Sequence, residues 1–491
     1  MYGTRHDEHT GLVIRDLKTG SERWLAYPVQ HDDQESRASR DVLPGISFTP
    51  DDKFVVASYG GKIWKIPTEG GDAIEIPFNV NGSIELGPEL DFEYPISDSD
   101  EFTITQIRDA VPSPDGKMIA FTALNEVYTM AFPNGTPKKL VNLDETQAQP
   151  VWSPDGNWIA FVTWKPEGGK VYKVKPNGKG LKQLNKDNGV YQEPAWSNDS
   201  KKIVLVNGDS EGFRNATQRT AFKGTSNLVW VSADGSEDNF IAYSNGRSNP
   251  HFVKGNDRIF LSSFNGLTSI RWDGTDEKEH LKVQGSPAPG STFSPRASWI
   301  RMGPEGDQAL AQLGYDLYVV TVPQVGGEAP TIKVGGSSSF PTEKLTDIGA
   351  QFPAWGWEAN NIHWSIGNAH IRYNLDDAEA YKDSVKAAKE MEKKKKEEAK
   401  DSDEKDDSGD GDSDEESEES KKSAIKKEEG FKPLEKRIDV KAKRDTPEGK
   451  IVLRGATAIT MNGDEIIRNA DILVENNRIK NVGARGSFTI P

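Results

Sequence analysis

The hydrophobic pattern of the chain is a repeat. An aromatic or apolar residue precedes a polar turn of the form Ser/Thr-Pro-Asp-Gly, or a decayed copy of it, and a run rich in Val, Ile, Phe and Trp follows. The copies read SFTPDDKFVVASYG from Ser47, VPSPDGKMIAFTA from Val111, VWSPDGNWIAFVTW from Val151 and AWSNDSKKIVLVNG from Ala195. Weaker ones are HFVKGNDRIFLSSF from His251, WIRMGPEGDQALAQLG from Trp299 and AWGWEANNIHWSIG from Ala354. After each comes a second apolar segment closed by a turn: KIWKIPTEGG, EVYTMAFPNG, KVYKVKPNG, LVWVSADG, SIRWDGT and DLYVVTVPQVGG.

The chemistry of the turn explains the repeat. Proline presets φ at the second position, aspartate bonds its own backbone, and glycine takes the left-handed position. Runs that alternate or are uniformly apolar, and are β-branched or aromatic, predict strands. A unit of roughly forty to sixty residues holds four short strands, the size of one propeller blade. The predicted fold is therefore all-β: a propeller of six or seven blades over residues 1–375. GLVIRDLKTGSERWLAY (Gly11–Tyr27) reads as the third and fourth strands of a blade whose first two are absent, either because the last blade supplies them by ring closure or, the favoured reading, because the chain starts mid-protein.

The pattern changes from about Asp376. AEAYKDSVKAAKEMEKKKKEEAK has no Gly or Pro and balanced charge, which predicts a solvated helix. The run that follows holds twelve acids and one lysine between residues 401 and 420 and cannot bury a core, so it is expected to be disordered. It lacks the spacing and glycine of a calcium loop. Residues 376–445 are thus read as a charged linker. Residues 446–491 return to short strands, with turns expected at Asn462-Gly463, Asn476-Asn477 and Gly483. Forty-odd residues make a poor domain alone, and this segment reads as the opening of a larger one.

Composition refines the picture. The net charge of −16 falls largely on the acidic run, which leaves the rest nearly neutral and argues against nucleic acid or anionic lipid as partner. The absence of cysteine excludes disulfides, thiolate nucleophiles and cysteine-bound zinc. No apolar run reaches the ~18–20 residues of a membrane span. The N-terminal MYGTRHDEHTG lacks the apolar region of a signal peptide.

Few residues nominate chemistry. His6 and His9 are spaced for a shared metal only on a helix, and their polar, glycine-flanked context predicts a surface turn. His363 and His370 alternate with aromatics and are expected to pack within the last blade. Gly208-Asp209-Ser210-Glu211-Gly212 satisfies G-x-S-x-G, but a nucleophile elbow needs a parallel strand and a following helix, and a polar turn is expected here. No Walker A, HExxH or GxGxxG is present. Neither a catalytic, a cofactor-binding nor a metal residue is nominated.

Two resemblances extend the reading. The repeats at Ser113–Gly116 and Ser153–Gly156 resemble those of TolB-type propellers. The segment IVLRGATAITMNGDEIIRNADILVENNRIKNVG, after Gly449, resembles the first β-sandwich strands of metal-dependent amidohydrolases of the imidazolonepropionase-like branch. YGTRHDEHTGLVIRDLKTGSERWLAYPVQ, LTSIRWDGTDEKEHLKV, DLYVVTVPQVGGEAPTIKVG and KLTDIGAQFPAWG are similar to exported bacterial hydrolases that join both parts. The resemblance implies a parent that hydrolyses non-peptide carbon–nitrogen bonds in small amide or peptide-like substrates. It would use a divalent metal, zinc or similar, outside the cytoplasm, with the propeller restricting access or binding a protein partner. The family's metal histidines lie in an Asp-x-His-x-His strand that this chain does not contain, so no site residue carries over. The chain alone is expected to be inactive and to carry no cofactor.

Overall fold

The computed structural model describes residues 1–6, 9–31, 45–83, 97, 99–214, 226–323, 326–336, 338–403 and 430–491. They form two compact units: Met1–Glu85 with Thr105–Asp439, and Leu86–Ile104 with Val440–Pro491. The acidic run expected to be disordered lies outside the described residues from 404 onward.

The first unit contains a ring of six antiparallel sheets, numbered here as blades I to VI. Blade I spans residues 108–139, II 146–183 and III 190–243, each a four-stranded meander. Blade IV spans 248–285, V 299–344 and VI 351–374. In each blade the first strand packs on that of a neighbouring blade, which places these strands at the hub. Arg108–Pro112 of blade I packs against Gln351–Trp355 of blade VI, closing the ring. The fourth strands, such as Lys138–Lys139 and Lys182–Gln183, are short, lysine-rich and exposed, as outer edges should be.

The core is a series of layers between blades. Between blades I and II lie Ala120, Val127, Ile159, Phe161 and Val174; Ile203, Leu205 and Val231 join Val162 and Val171 between II and III. Equivalent layers fill the III–IV, IV–V and V–VI spaces. Phe121 and Phe161 are fully buried, each worth roughly 1.5–3 kcal/mol of apolar transfer.

Four features depart from the sequence reading. Residues 1–76 form two sheets that share their own apolar cluster around Leu12, Val55 and Ile66, and the six-blade ring closes without them. The first of these sheets has a further strand, Tyr2–His6, ahead of the pair anticipated from Gly11. Blade IV gains a fifth strand, Thr331–Val334, which leaves the chain of blade V and pairs in parallel with Lys278–Gly285. The outer strand of blade VI is Leu434–Arg437, paired with Ala369–Asn374, from within the stretch read as linker. The helix Leu375–Asp403 is present as expected. Helix and acidic run are therefore inserted between the third and fourth strands of one blade. Leu434-Glu-Lys-Arg437 carries no apolar alternation because it sits on the outer edge, mostly exposed.

The second unit contains the pair Glu101–Thr103 with Lys441–Lys443, and a three-stranded antiparallel sheet of Lys450–Ile459, Ile466–Glu475 and Arg478–Ala484. Its first turn holds Gly463 at φ 57° and its second Asn476 and Asn477 at φ 48° and 64°, where turns were expected. Gly483 instead lies in the last strand, and the chain reverses at Gly486, φ 79°. A Cβ on Gly483 would meet the Ser487 Oγ at 2.4 Å, a contact that rotation of the serine side chain relieves.

Candidate functional site

The repeated turn is a structural device. Ser113 Oγ donates to Asp115 Oδ1 at 2.6 Å and accepts the Met118 N–H at 2.9 Å. Ser153 with Asp155, Ser197 with Asp199 and Thr49 with Asp51 repeat the arrangement at 2.5, 2.7 and 2.6 Å. The hydroxyl hydrogen bond is the main cause holding Asp51 and Asp115 below the usual carboxylate range. In Asp155 and Asp199 burial pushes upward, and the hydroxyl with backbone and amide donors outweighs it. All four are poor proton acceptors at neutral pH.

The aromatic ahead of the turn is a staple between blades. Trp152 Nε1 donates to the Val111 carbonyl at 3.3 Å, Trp196 to Val151 at 3.2 Å and Trp355 to Arg301 at 3.4 Å. Each indole thus reaches the carbonyl one position ahead of its own counterpart in the preceding blade.

At the hub a second circular network appears. Asp109, Gln149, Glu193, Asn249 and Phe352 occupy equivalent positions on the first strands of blades I, II, III, IV and VI, all with φ between 50° and 55°. The backbone bulges there, as interrupted registers in these blades record. Asp109 accepts the Gln149 N–H, Gln149 Oε1 accepts the Glu193 N–H at 2.7 Å, and Glu193 Oε2 accepts the Asn249 N–H at 2.5 Å. Blade V pairs without interruption and places Trp299 at this position, so the chain of staples ends at Asn249.

Electrostatics at the hub are strained. All these side chains keep part of their surface accessible, yet burial pushes the Asp109 carboxyl up to about 6 against the pull of Arg108 and the Gln149 N–H. Burial also raises Glu193, opposed by the Asn249 N–H and by Arg301, with Asp109 adding repulsion. Arg301, two residues beyond Trp299, is brought down to about 10 by burial, with Glu193 opposing. Asp109, Glu193 and Arg301 therefore stand on alternate blades and interact electrostatically around one axis. Carboxyls raised toward neutrality beside a desolvated guanidinium mark this hub as the candidate site.

The residues singled out by sequence lie elsewhere. His6 and His9 face each other at a hairpin end, their rings near Tyr27. His363 and His370 are buried in the seam of blades VI and I, 3.0 Å apart and against Phe132. Burial keeps His370 down at about 3 and His363 well below its ordinary value, so both are neutral. Gly208 ends a strand flanked by antiparallel neighbours, and Ser210 starts a five-residue helix, Ser210–Arg214, where a turn was expected. The geometry is not that of a nucleophile elbow. His251 is a further staple: its Nδ1 lies 2.8 Å from the Asn249 carbonyl, and its Nε2 accepts the Met302 N–H at 2.9 Å. Among the described residues no three His, Asp or Glu converge as a metal centre.

Sequence reasoning missed the hub, since one carboxyl among 77 acids has no distinguishing pattern. A signal existed in Gln149-Pro150, Glu193-Pro194, Asn249-Pro250 and Phe352-Pro353, each three residues ahead of the repeat's aromatic.

A closed ring of six meandering sheets with layered interblade cores defines a β-propeller. Residues 108–246 match the TolB beta propeller domain, and the chain carries a propeller of TolB type. An uncharacterized protein of Agrobacterium fabrum, Atu1656, is 25% identical over 107 residues, covering 21% of this chain and 36% of the relative, about a third of its length. Among solved structures, oligogalacturonate lyase from Vibrio parahaemolyticus is similar with a TM-score of 0.39 and 12% identity, over 57% of this chain and 77% of that one. TolB from Acinetobacter baumannii is similar with a TM-score of 0.28 and 18% identity, over 57% of this chain and 64% of that one.

Proposed function

We propose that this chain is the propeller-bearing portion of an amidohydrolase-family protein. The parent hydrolyses non-peptide carbon–nitrogen bonds of small amide or peptide-like substrates with a divalent metal, in the periplasm or outside the cell. The propeller restricts access or binds a partner, and the chain by itself is inactive.

One observation supports this reading beyond the sequence resemblance. In the sheet of the second unit, Ile451, Val474 and Ile479 pair across the three strands, as do Leu453, Ile472 and Val482. Ile451 is 63% exposed, Leu453 52% and Ile479 68%. A sheet face of this kind calls for a covering layer, which the sandwich of an amidohydrolase would supply.

The test is to read the gene beyond residue 491 and to assay purified residues 1–491. An open frame entering an Asp-x-His-x-His strand, with no metal-dependent hydrolysis of N-acyl amino acids by the chain alone, is the expected result. Metal-dependent hydrolysis by the chain alone overturns its assigned inactivity. A stop codon after Pro491 overturns the enzyme reading. It would leave a periplasmic propeller that acts as a binding module, the reading favoured by the polar hub.

A further inference from the structure

The fourth strand of blade IV changes partner part-way along. Lys278–Gly285 pairs with Gly266–Ile270 only as far as Leu281, opposite Leu267. Beyond that point Thr331–Val334 holds one edge of the strand, and residues 295–297 return along the other. The Gly285 N–H donates to the Pro295 carbonyl at 2.8 Å and the Ala297 N–H to the Val283 carbonyl at 2.9 Å. Where one partner gives way to the other, a cavity of about 130 Å³ opens beside the hairpin tip at Phe264. Gly266 keeps that tip close to the fourth strand: its φ is 123°, and a Cβ there would meet the Leu281 carbonyl oxygen at 2.4 Å.

The lining joins apolar surface to positive charge. Val283, Ala297 and Ile300, all buried, contribute with Phe264, and Lys282 and Arg296 are the charged members. No carboxylate lines the cavity. Lys282 is already held by Glu279 at 3.1 Å. The Arg296 side chain makes no hydrogen bond or ion pair among the described residues and lies over the Phe264 ring, its Cζ 5.0 Å from the centroid. A guanidinium placed over a ring face keeps its N–H edges free, and two of those donors match the two oxygens of a carboxylate. A dianionic phosphate would call for the second cation, which Glu279 occupies. The volume admits one six-membered ring or a short branched chain.

We infer that this cavity of blade IV binds a small monocarboxylate with a compact apolar body, an aromatic or branched aliphatic acid. Its carboxylate sits on Arg296, and its body lies on Val283, Ala297 and Ile300 beside Phe264. The inference goes beyond the amidohydrolase reading and does not depend on it, because it concerns binding by the propeller alone.

The test is NMR titration of residues 1–491 with benzoate, with its neutral isostere benzamide, and with acetate, which keeps the head and lacks the body. Benzoate is expected to bind at least tenfold more tightly than either. Arg296→Gln should remove the preference for benzoate over benzamide, while Arg296→Lys retains part of it. Phe264→Ala should weaken benzoate at least threefold. Both positions are exposed, so the blade should tolerate these changes. No binding of benzoate up to about 10 mM, or benzamide or acetate binding as tightly, overturns the inference. So does an Arg296→Gln protein that keeps the preference. Should Arg296→Gln fail to fold, Phe264→Ala decides, and unchanged benzoate binding there overturns the inference. None of these comparisons involves hydrolysis, so failure here leaves the gene-extension result untouched, and the reverse holds too.

Discussion

Single residues divide into those that make the repeat and those that exploit it. Gly116 sits at φ 67° with open space around its would-be Cβ, so Gly116→Ala should cost about 1 kcal/mol from backbone strain alone. Ala359 occupies the same place in a decayed copy at φ 60°, and Ala359→Gly should stabilise by about 0.5 kcal/mol. Urea unfolding of both variants measures this, and equal effects of the same sign would contradict it. Asp109 gives a pH prediction. Its folded value of about 6 lies above the ~3.9 of an unfolded aspartate, so the folded state binds the proton more readily. Its contribution is fully present below about pH 3.9 and is lost as pH rises through 6. Buried His251, His363 and His370 act in the opposite sense, so the comparison must be with Asp109→Asn. The melting temperature of Asp109→Asn relative to the unmodified chain should rise between pH 4 and pH 7; a flat difference refutes the assignment. The turn residues were legible because local chemistry dictates them. The hub residues were not, because a polar side chain on a bulged inner strand looks like any loop residue until the blades are arranged around an axis.

At the scale of elements, the indole staples tie blades II, III and VI to the blades before them. Trp196 is buried and its Nε1 meets the Val151 carbonyl. Trp196→Phe should therefore lower stability by roughly 1–3 kcal/mol, combining a lost hydrogen bond with lost volume. Trp24→Phe, at a 40% exposed position outside the ring, should cost less than half as much in the same denaturation assay. Inner strands such as Ile159–Trp164 and Lys202–Gly208 were readable from their apolar runs, buried on both faces between blades. Strands at outer edges were not. Leu434–Arg437 and Thr331–Val334 owe their place to a neighbour's free edge, and an edge imposes little on side chains beyond extended backbone.

For the whole molecule, the ring is closed by blades VI and I without the two N-terminal sheets. Phe132 stacks edge-on to His370 with Arg372 beside it, and the Ile107 N–H meets the Gly367 carbonyl at 3.0 Å. Past the acidic run the chain is anchored again. Phe431 packs on Tyr373, Ile438 is fully buried, and Lys441–Lys443 pairs with Glu101–Thr103. Cleavage at a protease site introduced between residues 404 and 429 should leave both pieces eluting together in gel filtration, and their separation would contradict these attachments. The segmental repeat announced the propeller, whereas the re-entry of the chain into blade VI had no precedent in the preceding units.

That re-entry has a consequence for how this sequence can vary. Both feet of the excursion from Leu375 to Leu434 stand on one strand, Ala369–Asn374, whose geometry is set by the blade and not by what lies between. The closure entropy of such a loop grows only with the logarithm of its length, about 0.6 kcal/mol for each doubling. Insertions, deletions or changes of composition between residues 404 and 429 should therefore cost the propeller little through loop closure.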